Sequence, residues 1–528
     1  MLWTLSIVVG GVAGLGAVAF RALIAIFHNL FFLGKLSVVY NANIHTPPSP
    51  WGALVILVPV AGALGVVFLV KNFAPEAKGH GVPEVMDAVY HHGGVIRPVV
   101  SVVKAVASAL SIGSGGSVGR EGPIIQIGSS FGSTVGQLLG LSAWQRITLI
   151  AAGAGGGIAA TFNTPVGGVL FAIEIMLHEV SARTLVPVAI ATATATYIGR
   201  LFFGRHPSFS IPALEAPVLN VTRPGVLAAY AALGVIAGLV SALFIWAIYK
   251  TEEVFEKHVK GGYYVQHLMG MFAVGVMIYA MMHGLGHYYI QGVGYATIQD
   301  ILSSVRFPLY LLALLFAGKL LATSLTLGSG ASGGVFSPAL FLGATAGAAW
   351  GVILHDLIPS ISASPAAFAV AGMGAVVGGS TGAAIAAIVM IFEMTMDYGV
   401  IIPMTLTVAI SYGVRKSLIT DSIYTRKLTL RGASVPDRMR ADVPFSRRAK
   451  DIMQPVTAEA REAWTNAHES CITVPEDASL MDVIAQLRAK PASVALVTAK
   501  GDATDVRGAI TGKDILDKLA DDLRLFGG

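Results

Sequence analysis

The chain has 528 residues, of which 54% are hydrophobic and only 12% are charged. Because a soluble globular protein carries about 25% charged residues, this composition excludes an ordinary soluble fold for most of the chain. The net charge of +5 is small for this length and no dense basic face is visible, which excludes a nucleic-acid partner.

The chain begins without a basic segment or a small-residue cleavage site, so we expect Met1–Leu5 to open the first membrane helix. A helix that spans a bilayer needs about 20 apolar residues. Stretches that approach this length lie at 3–32, 51–71, 144–160, 184–203, 224–249, 266–286, 307–327 and 399–414. The sequence therefore predicts an all-α, polytopic membrane protein embedded in lipid.

Other apolar stretches are shorter and are interrupted by glycine and proline. They lie at 98–112, 123–140, 165–178, 338–354, 365–378 and 383–395. Broken segments are tolerated in a membrane only where protein buries their ends or where they line a cavity. We expect these segments to cross only part of the membrane.

An internal repeat is visible in the membrane part. GSGGSVGREGP at 113–123 matches GSGASGGVFSP at 328–338 with an offset of 215, and the block at 151–176 matches 371–395 with an offset of 219. Glu174 and Glu393 align in the second pair. Matched halves with interrupted helices are typical of secondary transporters whose site lies between the repeats.

The last fifth of the chain has a different composition. Residues 415–528 hold 18 of the 35 Lys/Arg and 16 of the 30 Asp/Glu. Short strands are expected at 472–474, 493–498 and 507–511, and amphipathic helices at 479–489 and 512–521. The basic cluster at 415–450 follows the last apolar stretch, so the positive-inside rule predicts a cytoplasmic tail. The single cysteine, Cys471, permits no intrachain disulfide, as expected in a reducing compartment.

Three loops begin with glycine, end with proline and border apolar segments. They are Gly79, His80, Gly81, Val82 and Pro83; Gly119, Arg120, Glu121, Gly122 and Pro123; and Gly334, Val335, Phe336, Ser337 and Pro338. A helix N-terminus presents unpaired N–H groups and the positive end of a dipole, which together attract anions. Such a site binds an anion without a full positive charge, so the anion can leave again.

These three motifs, in this order, resemble the selectivity-filter signatures of the CLC family of chloride channels and Cl⁻/H⁺ antiporters. The resemblance covers about residues 5–430 and includes FNTPVGGVLFAIE at 162–174. It implies two inverted halves, about 1–205 and 220–430, within a transmembrane domain at 1–431. It also implies a homodimer with a separate chloride pathway in each subunit, and no enzymatic activity.

The resemblance also implies roles for single residues. Glu121 matches the gating glutamate, whose carboxylate occupies the pathway until it is protonated or displaced. Residues matching the chloride-binding positions are Gly79, His80, Val335, Phe336 and Tyr424. An ionisable residue in a membrane span is functional by default, and a helix cap is the alternative for Glu121. Without the resemblance, Tyr424 would be an interfacial anchor, and Arg120 is expected to be a structural partner.

Two positions depart from the family pattern. His80 stands where a serine is common; it can donate a hydrogen bond and titrate near neutral pH, or point away from the pathway. Ile175 replaces the inner glutamate that delivers protons in coupled antiporters, and Glu174 beside it is expected to be structural. This favours a passive or gated chloride channel, with an antiporter of unusual proton path as the alternative.

The tail resembles a CBS motif at 452–528, following a linker at 432–451. In that resemblance Thr511 and Asp514 would contact an adenine nucleotide, and a purely structural role is the alternative. The whole chain has two alternative functions: a membrane enzyme using Glu121 and His80, and a receptor that senses nucleotides. No metal-ligand spacing or nucleophile motif supports the enzyme, and a receptor does not need a repeated, glycine-lined interior.

Overall fold

The structure is a computed structural model of the chain. It describes residues 1–177, 181–205, 208–209, 224–303, 307–358, 364–433, 435, 448–455, 471–478, 483–484, 486–487, 494–499, 502–515 and 517. The chain divides into two compact units, the larger formed by Met1–Leu141 and Gln145–Asp437, the smaller by Ser142–Trp144 and Arg438–Gly528. The domain boundaries at 431 and 451 stay predictions.

The larger unit is built from helices. Its first half contains α1 (Leu2–Leu33), α2 (Val58–Phe73), α3 (Val82–His91), α4 (Val99–Gly113), α5 (Glu121–Leu138), α6 (Ala143–Phe162), α7 (Pro165–Phe171) and α8 (Ala182–Phe203). Its second half contains α9 (Pro224–His258), α10 (Gly262–Leu285), α11 (Tyr295–Leu302), α12 (Leu309–Gly328), α13 (Phe336–Leu357), α14 (Pro365–Thr381), α15 (Ala384–Thr395), α16 (Ile401–Leu418) and α17 (Thr425–Leu430). The predicted all-α membrane architecture is confirmed.

Seven helices in the described part of the chain are long and apolar enough to cross a membrane. They are Leu2–Leu33, Gly52–Phe73 (α2 with the 3₁₀ turn before it), Ala182–Phe203, Pro224–His258, Gly262–Leu285, Leu309–Gly328 and Phe336–Leu357. The protein is therefore a multi-pass membrane protein. The prediction of a short segment at 338–354 was wrong, because Pro338 lies in the first turn of α13, where a proline needs no N–H partner, and does not interrupt the helix.

The repeat seen in the sequence recurs in the helix packing. A Cβ on Gly128 of α5 would lie 2.2 Å from the carbonyl oxygen of Gly153 in α6. In the second half, a Cβ on Gly343 of α13 would lie 2.3 Å from the carbonyl oxygen of Gly372 in α14. Only glycine allows backbones to approach this closely. The same helix contact therefore occurs in each half, and its glycines are separated by the two offsets of the sequence repeat, 215 and 219.

The smaller unit contains a three-stranded sheet in the order β1 (Cys471–Pro475), β2 (Val494–Ala499), β3 (Asp502–Thr511). β1 pairs with β2 in parallel, and β2 pairs with β3 antiparallel. Its small core includes Ile472, Val474, Val497 and Ile510. The predicted α/β character of the tail is confirmed, while the predicted helices at 479–489 and 512–521 lie partly outside the described residues.

Candidate functional site

The second and third glycine motifs meet directly. Gly119 donates its N–H to the carbonyl of Gly334 at 2.7 Å, and Gly334 donates back to Gly119 at 2.6 Å. A Cβ on Gly122 would lie 2.2 Å from the carbonyl oxygen of His80 and 3.1 Å from the Cα of Gly334. All three motifs therefore converge around Gly122, where a side chain would separate them.

Two buried lysines hold the glycine loops in matching ways. Lys104 of α4 donates to the carbonyl oxygens of Ala77 and Gly79 at 3.0 and 2.7 Å. Lys319 of α12 donates to two carbonyl oxygens in loop 290–292, at 3.2 and 2.7 Å. Each ammonium turns the carbonyls of its loop toward itself. The loops that precede α3 and α11 are therefore fixed by equivalent hydrogen bonds.

Glu121 is the first residue of α5, and its side chain is only 1% exposed. The hydroxyls of Tyr295, the first residue of α11, and Ser337 both donate to its Oε1, the former at 2.6 Å. The backbone N–H of Ser337, in the first turn of α13, donates to Oε2 at 3.3 Å. The carboxylate thus occupies the helix N-terminus at which an external anion would bind.

Val335 and Phe336 lie where α13 begins, with Val335 as its N-cap residue and Phe336 as its first helical residue. Amide groups at this end of a helix have no partner within the helix. They lie beside Ser337, whose N–H holds Glu121. These positions can present amide groups to an anion that replaces the carboxylate.

Tyr424 and His80 lie together on another side of the converging loops. Their ring centroids are 5.9 Å apart, and both side chains are almost fully buried. Within the described residues the Tyr424 hydroxyl has no hydrogen-bond partner, whereas His80 Nε2 lies 3.2 Å from the hydroxyl of Tyr249. The structure brings the predicted chloride-binding residues Gly79, His80 and Tyr424 into one buried cluster.

Two cavities flank this region. The larger, about 950 Å³, is lined by basic and acidic side chains near Tyr249, Lys427 and Arg431. The smaller, about 230 Å³, is lined by Arg21, Arg120 and Arg200, and by Tyr295, which contacts Glu121. We call it the arginine cavity. Tyr249, which contacts His80, borders the larger cavity, and Tyr295, which contacts Glu121, borders the smaller one.

Arg120, which is predicted to be a structural partner, packs against an aromatic ring. Its guanidinium lies over the ring of Tyr295, 5.1 Å from the centroid. Its Nε atom is buried without a hydrogen-bond partner among the described residues. Arg120 also lines the arginine cavity.

Ile175 is buried and apolar, so this position supplies no proton carrier. Glu174 beside it is engaged elsewhere, since its carboxylate accepts hydrogen bonds from the N–H groups of Ile385 and Ala386 at 3.1 and 2.6 Å. Those groups open α15. Glu174 thus lies where a helix-capping residue is expected, consistent with its predicted structural role.

In the tail, Thr511 and Asp514 contact each other. The Asp514 carboxylate accepts from the Thr511 hydroxyl at 2.6 Å and from the Thr511 N–H at 2.8 Å. These bonds join the end of β3 to the residues that follow it. The contacts of both residues with an adenine nucleotide stay a prediction.

Sequence reasoning missed Tyr295, Lys104, Lys319 and Tyr249. Gly292-x-Gly294 precedes Tyr295 at an offset of 213 from Gly79-x-Gly81, so a third repeat block was present in the sequence. Lysines in otherwise apolar helices were a second signal, because a buried charge in a membrane needs a partner. Tyr249 gave no such signal.

Helix N-termini around a buried carboxylate, between two cavities, define a membrane protein for the transport of anions. The family model described as voltage-gated chloride channel matches residues 62–416. The chain therefore belongs to the CLC family of chloride channels and transporters, as its motifs predicted. It is a chloride-transporting membrane protein and not an enzyme.

Curated relatives include a putative chloride channel protein ClcB-like from Ralstonia nicotianae, 32% identical over 383 residues, covering 72% of this chain and 86% of that protein. The H(+)/Cl(-) exchange transporter ClcA of Yersinia pseudotuberculosis serotype IB is 33% identical over 408 residues, covering 76% and 81%. That of Citrobacter koseri is 34% identical over 407 residues, covering 76% and 82%.

Solved structures agree on the fold. A slow cyanobacterial Cl⁻/H⁺ antiporter superposes with a TM-score of 0.69 at 25% identity, covering 81% of this chain and 97% of its own. A eukaryotic CLC transporter gives a TM-score of 0.64 at 20% identity and covers 97% of both chains. The second likeness concerns the fold alone.

Proposed function

We propose that this protein exchanges chloride for protons, with Glu121 as the group that both blocks the anion pathway and carries the proton. The observation that carries the proposal is the binding of the Glu121 carboxylate by Ser337 N–H and by the hydroxyls of Ser337 and Tyr295. A protonated carboxyl group is a weaker acceptor than a carboxylate. Protonation therefore releases the side chain and frees the same donors for chloride.

Chloride would then pass between this position and the cluster of Tyr424 and His80, with Val335 and Phe336 offering backbone N–H groups on the way. No lysine or arginine side chain is needed as a direct ligand, since helix N-termini supply the positive potential. The relatives named as H(+)/Cl(-) exchange transporters favour exchange over passive conduction. This reverses the preference for a channel that Ile175 suggested.

A gated channel is the second candidate, and Ile175 is the observation that favours it. A proton that crosses from the large cavity to Glu121 needs titratable groups or water along its route. Ile175 provides neither. Exchange in this protein would need a proton path that does not use this position.

The deciding experiment uses lightly buffered proteoliposomes under a chloride gradient, with external pH recorded. We expect protons to move uphill while chloride runs downhill, and the movement to disappear in Glu121→Gln although chloride still flows. Glu174→Gln is the matched control, because it removes a neighbouring carboxylate and should keep coupling. Chloride flux with no proton movement in the unmodified protein would instead establish a channel.

We also propose a homodimer, as the CLC resemblance implies, with one pathway in each subunit, because the three glycine motifs converge within a single chain. Mass photometry of the detergent-purified protein, followed by transport from mixed dimers of unmodified and Glu121→Gln subunits, tests this. If the two pathways are independent, the chloride flux of a mixed dimer should equal the sum of the fluxes of its two subunits.

A further inference from the structure

The hydrogen bonds around His80 determine where its ring proton lies. The Tyr249 hydroxyl donates to the carbonyl oxygen of Ile423 at 2.6 Å. A phenol has one proton, so the same hydroxyl cannot also donate to His80 Nε2 at 3.2 Å. Nε2 must therefore carry a hydrogen and donate to the Tyr249 oxygen. In the neutral ring, Nδ1 is then the nitrogen without a proton.

This assignment leaves an unusual group in an anion pathway. His80 is 3% exposed, and its Nδ1 is buried with no hydrogen-bond partner among the described residues. A buried acceptor without a donor is costly. A lone pair also repels chloride, whereas a serine at this position could donate a hydrogen bond. Adding a proton to Nδ1 turns the repelling group into a charged donor.

The charges that face His80 decide when this proton can be held. Lys104 of α4 donates to Gly79 next to His80, and the Lys427 ammonium of α17 lies 3.3 Å from Glu84 of α3. Arg431 also pairs with Glu84, at 2.9 Å. Tyr249 of α9 and Tyr424 beside α17 are further ionisable neighbours among the described residues, and Glu121 lies next to Gly122, which approaches the His80 carbonyl oxygen. The positive charges of Lys104, Lys427 and Arg431 destabilise a protonated His80 ring. A chloride ion bound between the rings of His80 and Tyr424 would offset that repulsion.

We infer that His80 Nδ1 is a proton-binding site inside the anion pathway, which takes up a proton together with chloride. The inference rests on the proposed function in one respect, namely that the pathway passes Tyr424 and His80. It supplies the titratable group that Ile175 removes from the usual position. Tyr249 lines the large cavity, so one side chain separates His80 from that cavity.

The test is calorimetric titration of chloride into the purified full-length Glu121→Gln protein, in which the gate carboxyl can no longer titrate. Titrations in two buffers of different ionisation enthalpy give the number of protons taken up on binding. We expect uptake approaching one proton, and an affinity that rises as pH falls, by at most about tenfold per pH unit. Binding with no proton uptake between pH 5 and 8 overturns the inference.

Further variants in the same background identify the group. Adding His80→Ser or His80→Gln should abolish proton uptake and make the chloride affinity that remains independent of pH. His267→Ser is the matched control. His267 is also buried, but its ring hydrogen-bonds to Ser329 and not to Tyr249 or another residue near His80. Uptake that persists without His80 assigns the proton to another group and refutes the inference.

The result is separable from the test of exchange. Proton uptake on binding together with chloride flux that moves no protons would retain the His80 site and reject the exchange mechanism. Uphill proton transport together with chloride binding that takes up no proton would reject the His80 site and retain exchange.

Discussion

The carboxylates of Glu174 and Glu393 cap the helices of each other's repeat. Glu174 follows α7 and accepts from the first N–H groups of α15, while Glu393 within α15 accepts from Val166 and Gly167 of α7 at 3.1 and 2.7 Å. The two residues align in the sequence repeat, so the same capping interaction is made once by each half of the repeat on the other half. It fastens the two halves together at a point separate from the glycine motifs.

We therefore predict that Glu174→Ala and Glu393→Ala each destabilise the protein, by about 1–2 kcal/mol, the worth of a side-chain helix cap. Thermal unfolding in detergent measures the loss, and both variants should keep the proton-to-chloride ratio of the unmodified protein. A lower ratio in Glu174→Ala alone would show that Glu174 delivers protons in spite of its capping bonds.

The contact of Tyr295 with Glu121 gives a second prediction. Tyr295→Phe and Ser337→Ala each remove one hydroxyl that holds the gate carboxylate, while the ring and the helix start remain. A hydrogen bond to a charged group is worth about 1.5–3 kcal/mol, so losing one loosens the carboxylate, and acid activation of flux should shift to higher pH.

Chloride flux measured from pH 4 to 8 tests this, and the double variant should shift further than either single one. Thr297→Val serves as a control, because its hydroxyl, also in α11, bonds to the carbonyl of Tyr289 and not to Glu121. If Tyr295→Phe, Ser337→Ala and the double variant all give the flux curve of the unmodified protein, these hydroxyls do not hold the Glu121 carboxylate in the pathway.

The sequence predicted the membrane architecture and the glycine motifs because both depend on local chemistry. Apolar length fixes a membrane helix, and glycine with proline marks an anion-binding helix start. Tyr295 was not predicted, since it lies 174 positions from Glu121 and only the fold brings them together. Its preceding loop also lacks the proline that made the other motifs visible.

The ring nitrogen of His80 that carries the hydrogen could not be predicted, for a similar reason. The sequence shows that His80 departs from the family pattern, and its titration stays a prediction. Which nitrogen is free depends on Tyr249 and on the carbonyl of Ile423, which lie 169 and 343 positions away in the chain. Tertiary structure, and not local sequence, therefore determines the chemistry of that ring.

Tyr424 offers a third prediction. Its hydroxyl has no hydrogen-bond partner among the described residues, although the ring is almost fully buried against His80. A hydroxyl kept free in a buried site is available to a chloride ion. Tyr424→Phe should weaken chloride binding by about 1.5–3 kcal/mol in calorimetry. Wild-type affinity in this variant would leave Tyr424 with a packing role only.

The last prediction concerns the arginine cavity. Arg21, Arg120 and Arg200 line it, and no carboxylate lines it among the described residues. Among the described residues, Arg200 donates a hydrogen bond to the side chain of Asn163 at 2.6 Å, and a neutral amide does not cancel the guanidinium charge. A surplus of positive charge around a cavity raises the local concentration of anions and so the rate at which they enter.

Replacing Arg21 and Arg200 together by glutamine should lower chloride influx at 10 mM salt by roughly threefold to tenfold. The deficit should shrink as ionic strength rises to 0.1 M, since the Debye length falls from about 30 to about 10 Å. The double lysine variant keeps both charges and should retain the influx and salt dependence of the unmodified protein. If the glutamine variant shows an unchanged salt dependence, anions reach Glu121 without electrostatic help from these arginines.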